Sequence, residues 1–432
     1  MKIYTTTEKH QWTASNKYKF SNINNTTLNQ DKNIYQEWDG FGGCFNELSQ
    51  IALLTLDEVD REQVYDNLFS KDTDGLRFDF CRIPIGASDY AEIWYSHNEN
   101  DNDYEMKYFS IERDKKYLLP YIKEALKRNP DMKFFASPWS PPSWMKNPKV
   151  YNFGRLVWTE QNLNAYALYL LKFIQAYEAE GVHITQLHVQ NEVTSDQKFP
   201  SCLWSGEQLT EFIGKYLGPL FEKHNIDTEI WLGTINATGL VECQGSSRYN
   251  LYANTVLDNA DAYKYIKGVS YQWEGKYALQ VTHDSYPEIK YIQSENECGD
   301  GRNTWEYAKY IFELFRHYIT NGVCGYVYWN MVLAPEGKST WGWKQNSMIT
   351  ADGHVNYNYE YYIMKHFSRF VKPGARRIGL SGHLSGNATA FQNPDYQIIL
   401  IVQNPFNYCK TFEFNGNKIT LQPDSINTVI LD

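Results

Sequence analysis

The stretch Leu187-His188-Val189-Gln190-Asn191-Glu192 decides the fold of this chain. Apolar and polar residues alternate along it up to an Asn-Glu pair, a pattern typical of a barrel strand that presents an acid at its end. Further along the chain, Ile292-Gln293-Ser294-Glu295 ends in the same way. The two stretches predict two strands of one parallel barrel, each of which carries a glutamate to the same mouth.

Short apolar runs alternate with amphipathic helical stretches over most of the chain. The predicted strands are residues 38–44, 76–84, 133–137, 184–190, 229–233, 268–273, 290–294 and 324–329. The helices predicted between them include residues 115–128, 160–180, 206–224 and 303–321, each with apolar residues three and four positions apart. Because no glycine-rich phosphate loop follows any strand, the pattern predicts an α/β fold with a (β/α)8 TIM barrel and not a doubly wound sheet.

After Pro373-Gly374 the sequence changes to short β-type runs separated by turns. These runs are residues 388–391, 396–402, 410–414, 418–421 and 426–431. They are too few for a complete sandwich, so we expect the polar amino-terminal segment up to about Tyr35 to add strands. The predicted domains are a catalytic barrel at residues 36–371 and a small antiparallel, sandwich-like side domain made of residues 1–35 and 372–432.

Charge and aromatic content indicate the class of ligand. Lys and Arg total 41 against 51 Asp and Glu, a net charge of -10, which disfavours nucleic acid and acidic membranes as partners. A neutral ligand is therefore expected. Aromatic residues make up 16% of the chain, and aromatic rings stack on the C–H faces of sugars, although packing in an aromatic-rich core explains part of this content.

The cysteines and the amino terminus predict a reduced, cytoplasmic protein. The seven cysteines are an odd number without metal-type spacing, so we interpret them as mostly reduced core residues. The first residues lack the apolar segment of a secretory signal, and no run of about 18 apolar residues occurs. We expect no membrane insertion, and the sequence does not predict an oligomeric state.

Motifs for other hydrolytic chemistries are missing from the sequence. The ten histidines include no His-Glu-x-x-His spacing, and there is neither a Gly-x-Ser-x-Gly elbow nor a phosphate-binding loop. A zinc hydrolase and a serine hydrolase are therefore disfavoured. Two glutamates at strand ends instead provide what a retaining glycosidase needs, an acid for the leaving oxygen and a nucleophile for the anomeric carbon. That reaction requires no metal and no organic cofactor.

The set of motifs, from Gly40-Phe41-Gly42-Gly43 to Phe367-Ser368-Arg369-Phe370, resembles glycoside hydrolase family 30, which includes the glucosylceramidase-type enzymes. The resemblance covers nearly the whole chain. It implies that Glu192 is the acid/base, that Asn191 binds the sugar 2-hydroxyl, and that Glu295 is the nucleophile. Glu297 is the alternative nucleophile, because residues two apart on a strand point to the same side; the family pattern favours the glutamate directly after Ser294.

The resemblance also assigns further residues. It implies that Arg82 keeps the nucleophile ionised, that Asp89 binds hydroxyls at the non-reducing end, that Trp139 lines the pocket, and that Trp329 forms a platform beneath the sugar. A purely structural salt bridge is the alternative for Arg82. Additional predicted substrate-binding or supporting residues are Trp273, Asn346 and Tyr271, with Trp144, Trp341 and Trp343 either at the entrance or in packing.

One departure from the glucosylceramidase pattern bears on the substrate. Where that type has His-Trp-Tyr after the sixth strand, this chain has Tyr271-Gln272-Trp273, which argues against lipid-linked substrates. The sequence therefore predicts a retaining β-glycosidase that acts on a small or oligosaccharide β-glycoside with a terminal β-linked glucose or similar sugar. The alternatives are a β-xylosidase, a β-1,6-glucanase and a non-catalytic carbohydrate-binding barrel.

Overall fold

The computed structural model describes residues 1–14, 26–237 and 252–431, and its central feature is a closed eight-stranded parallel barrel. In chain order, barrel strands 1 to 8 are Gly40–Cys44, Phe80–Ile85, Lys133–Pro138, Ile184–His188, Glu229–Ile235, Ile266–Gln272, Lys290–Glu295 and Gly325–Asn330. Each strand pairs with the next one along the chain, and strand 8 pairs with strand 1. The predicted TIM barrel is confirmed, since all eight expected strands form.

Helices surround the barrel and begin and end close to the predicted positions. The α-helices are Glu47–Leu53, Glu58–Phe69, Leu118–Arg128, Glu160–Ala179, Gly206–Glu211, Gly218–Lys223, Tyr252–Leu257, Ala260–Tyr263, Lys276–Ser285, Trp305–Thr320 and Tyr359–Ser368. Short 3-10 helices lie at Ser143–Met145, Trp273–Gly275, Pro335–Gly337 and Ser385–Asn387. The helix predicted at 206–224 is interrupted by a π-helical stretch, Phe212–Leu217.

The longest helix shows how the sequence specifies these elements. Thr159 caps its first turn by accepting a hydrogen bond from the Asn162 backbone N–H, as N-cap threonines do. Leu163, Leu170 and Tyr177 lie on one face and are buried against the barrel. With Tyr166 and Ile174 buried between them, spacings of three, four and seven residues produce the apolar stripe that holds a helix to a sheet.

Glycine in strand 1 allows its neighbours to approach closely. A Cβ atom added to Gly42 would overlap the backbone oxygen of Phe80 on strand 2, and one added to Gly43 would meet the Met331 side chain. The glycines of the Gly40-Phe41-Gly42-Gly43 motif are therefore explained by packing between strands and not by chemistry.

The side domain is a seven-stranded antiparallel sheet covered by a hairpin. The sheet contains the strands Lys2–Thr7, Thr13–Ala14, Asn29–Glu37, Arg376–Ser381, Ala388–Gln392, Ile398–Asn404 and Ser425–Leu431, and the hairpin contains Lys410–Phe414 and Asn417–Leu421. As predicted, the amino-terminal segment adds strands. The sequence analysis did not predict Arg376–Ser381, because the charged pair Arg376-Arg377 and Gly379 hide its alternation.

The two faces of this sheet pack against different partners. Ile399 and Ile401 join the barrel core, whereas Leu400 and Val402 pack with the hairpin. This alternation is what a strand with apolar layers on both sides requires.

Smaller pairings complete the structure around the barrel. A two-stranded sheet contains Lys146–Asn147 and Arg155–Leu156. A three-stranded sheet contains Val332–Leu333, Ile349–Ala351 and Val355–Tyr357. The six cysteines in the described ranges are free thiols, and five of them are buried; Cys243 lies outside those ranges. No helix in the described part of the chain is long and apolar enough to span a membrane.

Candidate active site

A cavity of about 710 Å³, counting its open mouth, lies at the carboxyl ends of the barrel strands. The residues that line it are Asp89, Trp139, Asn191, Glu192, Ser195, Gln197, Phe199, Asn236, Trp273, Glu274, Glu295, Trp341, Trp343 and Gln345. The two glutamates predicted from strand ends are therefore brought to one site.

Glu295, the last residue of strand 7, is held by one cation and one indole. Its Oε2 accepts a hydrogen bond from an Arg82 guanidinium nitrogen at 2.8 Å, and its Oε1 accepts the Trp273 indole N–H at 3.0 Å. Both contacts favour the ionised carboxylate. Trp273 has a positive φ of 48°, a backbone conformation that is uncommon for a bulky residue and often found at functional sites.

Arg82 is fully buried and makes contacts in several directions. Its guanidinium also donates to the Ser137 hydroxyl at 2.8 Å, to Asn191 Oδ1 at 2.6 Å and to the Ser294 backbone oxygen at 3.2 Å. It lies 4.5 Å from the ring centroid of Trp139. These contacts fix the position of the charge beside Glu295.

Glu192 lies just beyond strand 4 and receives hydrogen bonds from neutral groups. Its Oε2 is 2.6 Å from the Ser195 hydroxyl, and its Oε1 accepts from the Gln272 amide at 3.2 Å. Its backbone has a positive φ of 49°, and its N–H donates to the Thr234 oxygen at 3.0 Å. This backbone hydrogen bond to strand 5 holds Glu192 in an uncommon conformation, and its side chain lines the cavity.

Gln272 connects the surroundings of the two glutamates. Besides donating to Glu192, its amide nitrogen donates to Asn191 Oδ1 at 3.3 Å, and its Oε1 accepts from the Ser294 hydroxyl at 2.9 Å. Asn191 Oδ1 thus accepts from Arg82 and Gln272, and from Thr234 Oγ1 at 3.1 Å. Because the oxygen of Asn191 is occupied in this way, its amide nitrogen is the group that can donate to a sugar hydroxyl.

Burial changes the acidity of both catalytic candidates. It raises the pKa of Glu295 to about 7, although Arg82 acts to lower that pKa, and the charge of Glu192 adds to the rise. Burial also raises the pKa of Glu192, against the hydrogen bonds from Ser195 and Gln272. The two carboxyls therefore titrate as an interacting pair whose pKa values are both raised. The Arg82 contact favours the negative charge on Glu295 over Glu192, which has no cationic partner.

Asp89 and Trp139 form the wall next to this pair. Burial, followed by the charges of Glu295 and Glu192, raises the pKa of Asp89. Trp139 stacks on Trp329, with ring centroids 5.3 Å apart. Trp329 was predicted as a platform beneath the sugar, but it is buried behind Trp139 and does not belong to the described lining of the cavity.

Glu297 lies away from the cavity lining. Its carboxylate pairs with Lys276 at 2.6 Å and accepts a hydrogen bond from the Tyr310 hydroxyl at 2.7 Å. The structure therefore places Glu295, and not the alternative Glu297, beside Glu192.

Two further predicted residues do not reach the cavity. The hydroxyl of Tyr271 is 2.6 Å from Thr282 Oγ1 on the outside of strand 6, because strand alternation points Gln272 inward instead. Asn346 is buried and holds a loop: its amide donates to Glu360 at 2.7 Å, and its oxygen accepts from the Gly301 N–H at 2.8 Å. These placements correct the predictions for Tyr271 and Asn346.

The entrance contains two of the three tryptophans considered for it. Trp341 and Trp343 line the mouth, whereas Trp144 is buried and donates to the Asn98 backbone oxygen at 3.0 Å. The sequence analysis missed Gln272, Ser195 and Asn236 as site residues. The inward register of strand 6 could have indicated Gln272, but the other two lie in loops after strands 4 and 5, where the sequence has no periodic pattern.

No group of three or more His, Cys, Asp or Glu side chains in residues 1–14, 26–237 and 252–431 is arranged to hold a metal ion. The chemistry available at this site comes from the carboxyl groups of Glu192 and Glu295. A barrel with paired acids, aromatic walls and amide donors at its carboxyl end defines the class of the glycoside hydrolases.

Comparison with known proteins agrees with this class and identifies the family. The glycosyl hydrolase family 30 TIM-barrel domain matches residues 38–371, and the glycosyl hydrolase family 30 beta sandwich domain matches residues 374–429. The chain belongs to glycosyl hydrolase family 30. The resemblance inferred from the sequence motifs is thereby confirmed.

Relatives within the family differ in what their names say they act on. Putative glucosylceramidase 2 of Caenorhabditis elegans is 30% identical over 88% of this chain and 76% of its own length. Endo-1,6-beta-D-glucanase neg1 of Aspergillus fumigatus is 26% identical over 85% of this chain and 78% of its own. The solved structure of the endo-beta1,6-glucanase BT3312 has a TM-score of 0.87 and 26% identity, and covers 99% of this chain and 98% of its own.

Proposed function

We propose that this glycoside hydrolase is a retaining β-glycosidase that releases a terminal β-linked glucose or a closely similar neutral sugar. The observation that carries the proposal is the unequal environment of two carboxyls in one cavity: Glu295 contacts Arg82, and Glu192 contacts the neutral groups of Ser195 and Gln272. A double displacement needs this asymmetry, an anion to attack and an acid to protonate.

In the first step, Glu192 donates its proton to the glycosidic oxygen while the bond from that oxygen to C1 breaks. A carboxylate oxygen of Glu295 attacks C1 from the opposite face and forms a covalent glycosyl-enzyme. The amide of Asn191 donates to a hydroxyl of the same sugar, a contact that strengthens as positive charge develops on the ring.

In the second step, the roles reverse. Glu192, now ionised, takes a proton from a water molecule, whose oxygen attacks C1. The bond between C1 and Glu295 breaks, and its carboxylate returns to its ion pair with Arg82. Two inversions at C1 leave the configuration of the product the same as that of the substrate.

The charges around the cavity favour an uncharged substrate. The described lining contains four carboxyl groups, on Asp89, Glu192, Glu274 and Glu295, and neither a lysine nor an arginine. A uronate or a sugar phosphate needs a cationic partner, and Arg82 is fully buried with its guanidinium committed to protein groups. Neutral glucosides and glucose oligomers are therefore the favoured substrates.

An endo-acting β-1,6-glucanase is the second candidate. The ring centroids of Trp341 and Trp343 lie 4.9 Å apart at the mouth, and Trp343 is 43% exposed. Exposed indole faces are suited to stacking on additional sugar units. The names of the 1,6-glucanases among the relatives point in the same direction.

A substrate panel tests the proposed function. Purified enzyme is offered an aryl β-glucoside, an aryl β-xyloside, an aryl 6-phospho-β-glucoside and gentio-oligosaccharides, and Glu295→Gln is the control for contaminating activity. We expect kcat/KM to be highest on the glucoside and the phosphorylated substrate to be inert. Preference for the xyloside would favour a β-xylosidase, and release of oligomers from gentio-oligosaccharides would favour the glucanase. Lack of turnover on every substrate would favour a non-catalytic binding barrel.

The stereochemistry is tested separately. Proton NMR of the first product formed should show a β anomer before mutarotation begins. An α anomer would contradict the double displacement.

A further inference from the structure

The side of Glu192 that faces away from Gln272 is contacted by a short chain of hydrogen bonds from the loops after strands 4 and 5. Asn236 lies between Thr194 and Ser195, and Ser195 lies between Asn236 and Glu192. We propose that Ser195 and Asn236 form a positioning pair, which determines which oxygen of Glu192 carries the catalytic proton. This inference rests on the proposed glycosidase function.

The direction of these hydrogen bonds is set by Thr194, which lies farthest from Glu192. The backbone N–H of Thr194 can only donate, and it lies 3.3 Å from Asn236 Oδ1; the Thr194 hydroxyl donates to the same oxygen at 3.0 Å. The oxygen of the Asn236 amide therefore faces Thr194. Its NH2 group faces Ser195 and donates to Ser195 Oγ at 3.0 Å.

The amide of Asn236 in turn orients the hydroxyl of Ser195. Because its oxygen accepts from Asn236, the hydrogen of Ser195 is free to point to Glu192 Oε2, which is 2.6 Å away. Ser195 is held in place by its backbone N–H, which donates to the Glu192 carbonyl at 2.8 Å. Asn236 and Ser195 are thus a directed relay that ends as a donor to one defined oxygen of the acid/base.

The hydrogen bond from Ser195 determines which oxygen of Glu192 carries the proton. An oxygen that permanently accepts a short hydrogen bond is a poor place for a proton, so the proton of Glu192 resides on Oε1. That oxygen keeps a lone pair for the Gln272 amide at 3.2 Å. Oε1 then donates to the leaving group in the first step and accepts the proton of water in the second.

The experiment compares two substrates that differ in leaving group, one activated (2,4-dinitrophenyl) and one poor (unsubstituted phenyl), both carrying the sugar that the wild type cleaves best. The variants are Ser195→Ala, which removes the donor, and Asn236→Asp, which preserves shape but reverses direction. A carboxylate at 236 accepts from both Thr194 and Ser195, so it turns the serine hydrogen away from Glu192. Ser195→Thr retains a hydroxyl and is the conservative variant.

We expect Ser195→Ala and Asn236→Asp each to lower kcat/KM on the phenyl glycoside about tenfold more than on the dinitrophenyl glycoside, the loss of roughly one hydrogen bond. Ser195→Thr should remain near the wild-type ratio. The ratio of two substrates does not depend on the fraction of folded enzyme, so partial misfolding leaves the comparison valid.

The pH profile provides a second readout. Removal of the donor in Ser195→Ala should raise the pKa of Glu192, so the alkaline limb of kcat/KM should move up by about half to one pH unit in that variant and stay in place in Ser195→Thr. The other titratable or charged groups around the site, Asp89, Glu274, Glu295 and Arg82, are the same in Ser195→Ala and Ser195→Thr. Asn236→Asp adds a carboxylate whose charge itself raises the pKa of Glu192, so that variant is compared by the substrate ratio alone.

Two outcomes would overturn the inference. If Asn236→Asp matches the wild type in the ratio of the two substrates, the pair holds the loop without directing the proton. The same conclusion follows if Ser195→Ala loses activity equally on both substrates with no shift of the alkaline limb. If the wild type hydrolyses no substrate of the panel used to test the proposed function, that function itself fails and this inference fails with it.

Discussion

The ends of barrel strands 4 and 7 each present a glutamate to the same cavity, but with different partners. Burial does not distinguish the two, since Glu192 is 7% and Glu295 6% exposed. Charge does: Glu295 pairs with the Arg82 guanidinium, whereas Glu192 contacts a hydroxyl and an amide. The comparison teaches that the neighbours of a buried acid, and not its depth, decide whether it acts as a nucleophile or as an acid.

The largest effect is expected at the strand 7 end. Glu295→Gln removes the attacking anion, so kcat should fall by at least about 10⁴-fold on every glycoside. Glu297→Gln is the matched control, because Glu297 pairs with Lys276 outside the cavity, and it should lose less than about tenfold. Steady-state kinetics on an aryl glycoside provide the measurement. A larger loss of kcat in Glu297→Gln than in Glu295→Gln would indicate that Glu297 is the nucleophile.

At the strand 4 end, the loss should depend on the leaving group. Glu192→Gln cannot supply a proton, so hydrolysis of a poor leaving group should fall by about 10² to 10⁴-fold. Bond cleavage with an activated aryl leaving group should fall much less, and substrate binding should be retained. Pre-steady-state kinetics on the two substrates separate bond cleavage from the later hydrolysis step. Equal loss on both would contradict the acid role.

Arg82→Lys tests whether the geometry of the cation matters. Lysine keeps the charge but cannot contact Glu295, Asn191 and Ser137 together, as the guanidinium does. We expect kcat/KM to fall by about 10²-fold, with a lower melting temperature because hydrogen-bonding partners are left unsatisfied in the core. Kinetics and calorimetry on the same preparation measure both. Wild-type activity would show that only the charge is needed.

The smallest effect concerns the Trp273 indole next to Glu295. Trp273→Phe removes the hydrogen bond to Glu295, which lowers the pKa of that carboxyl. Without it, that pKa rises above its value of about 7, so more Glu295 is protonated at a given pH and the acid limb of kcat/KM should move to higher pH. We expect about a tenfold loss at neutral pH. An unchanged acid limb would assign Trp273 to substrate contact alone.

The barrel could be predicted from the sequence because each strand and helix repeats a simple period. Ile184–His188 and Lys290–Glu295 form where alternation predicts them, and Glu160–Ala179 forms where apolar residues recur at helical spacing. The strand Arg376–Ser381 was missed because Arg376-Arg377 and Gly379 hide its alternation. It lies between Ala388–Gln392 and the distant strand Asn29–Glu37, which itself has no buried residue. Such a strand is specified by its neighbours in the sheet.

The site residues that could be predicted from the sequence are those at or near the ends of barrel strands. Asp89, Trp139, Asn191, Glu192, Trp273 and Glu295 all line the cavity. Asn346 was misplaced because a loop turns its amide toward Glu360. Ser195 and Asn236 were missed because the contact between them joins two loops, and local sequence patterns do not indicate such contacts.

The buried imidazole of His366 joins the last barrel helix to the sheet of the side domain. The Thr428 hydroxyl donates to the His366 backbone oxygen, so it accepts from Nδ1 at 2.9 Å, and Nε2 accepts from Thr6 at 2.9 Å. Burial lowers the pKa of His366 to about 3, which keeps the ring neutral. Barrel and side-domain sheet should therefore unfold together in a single calorimetric transition, because unfolding of either domain would expose the core of the other to water.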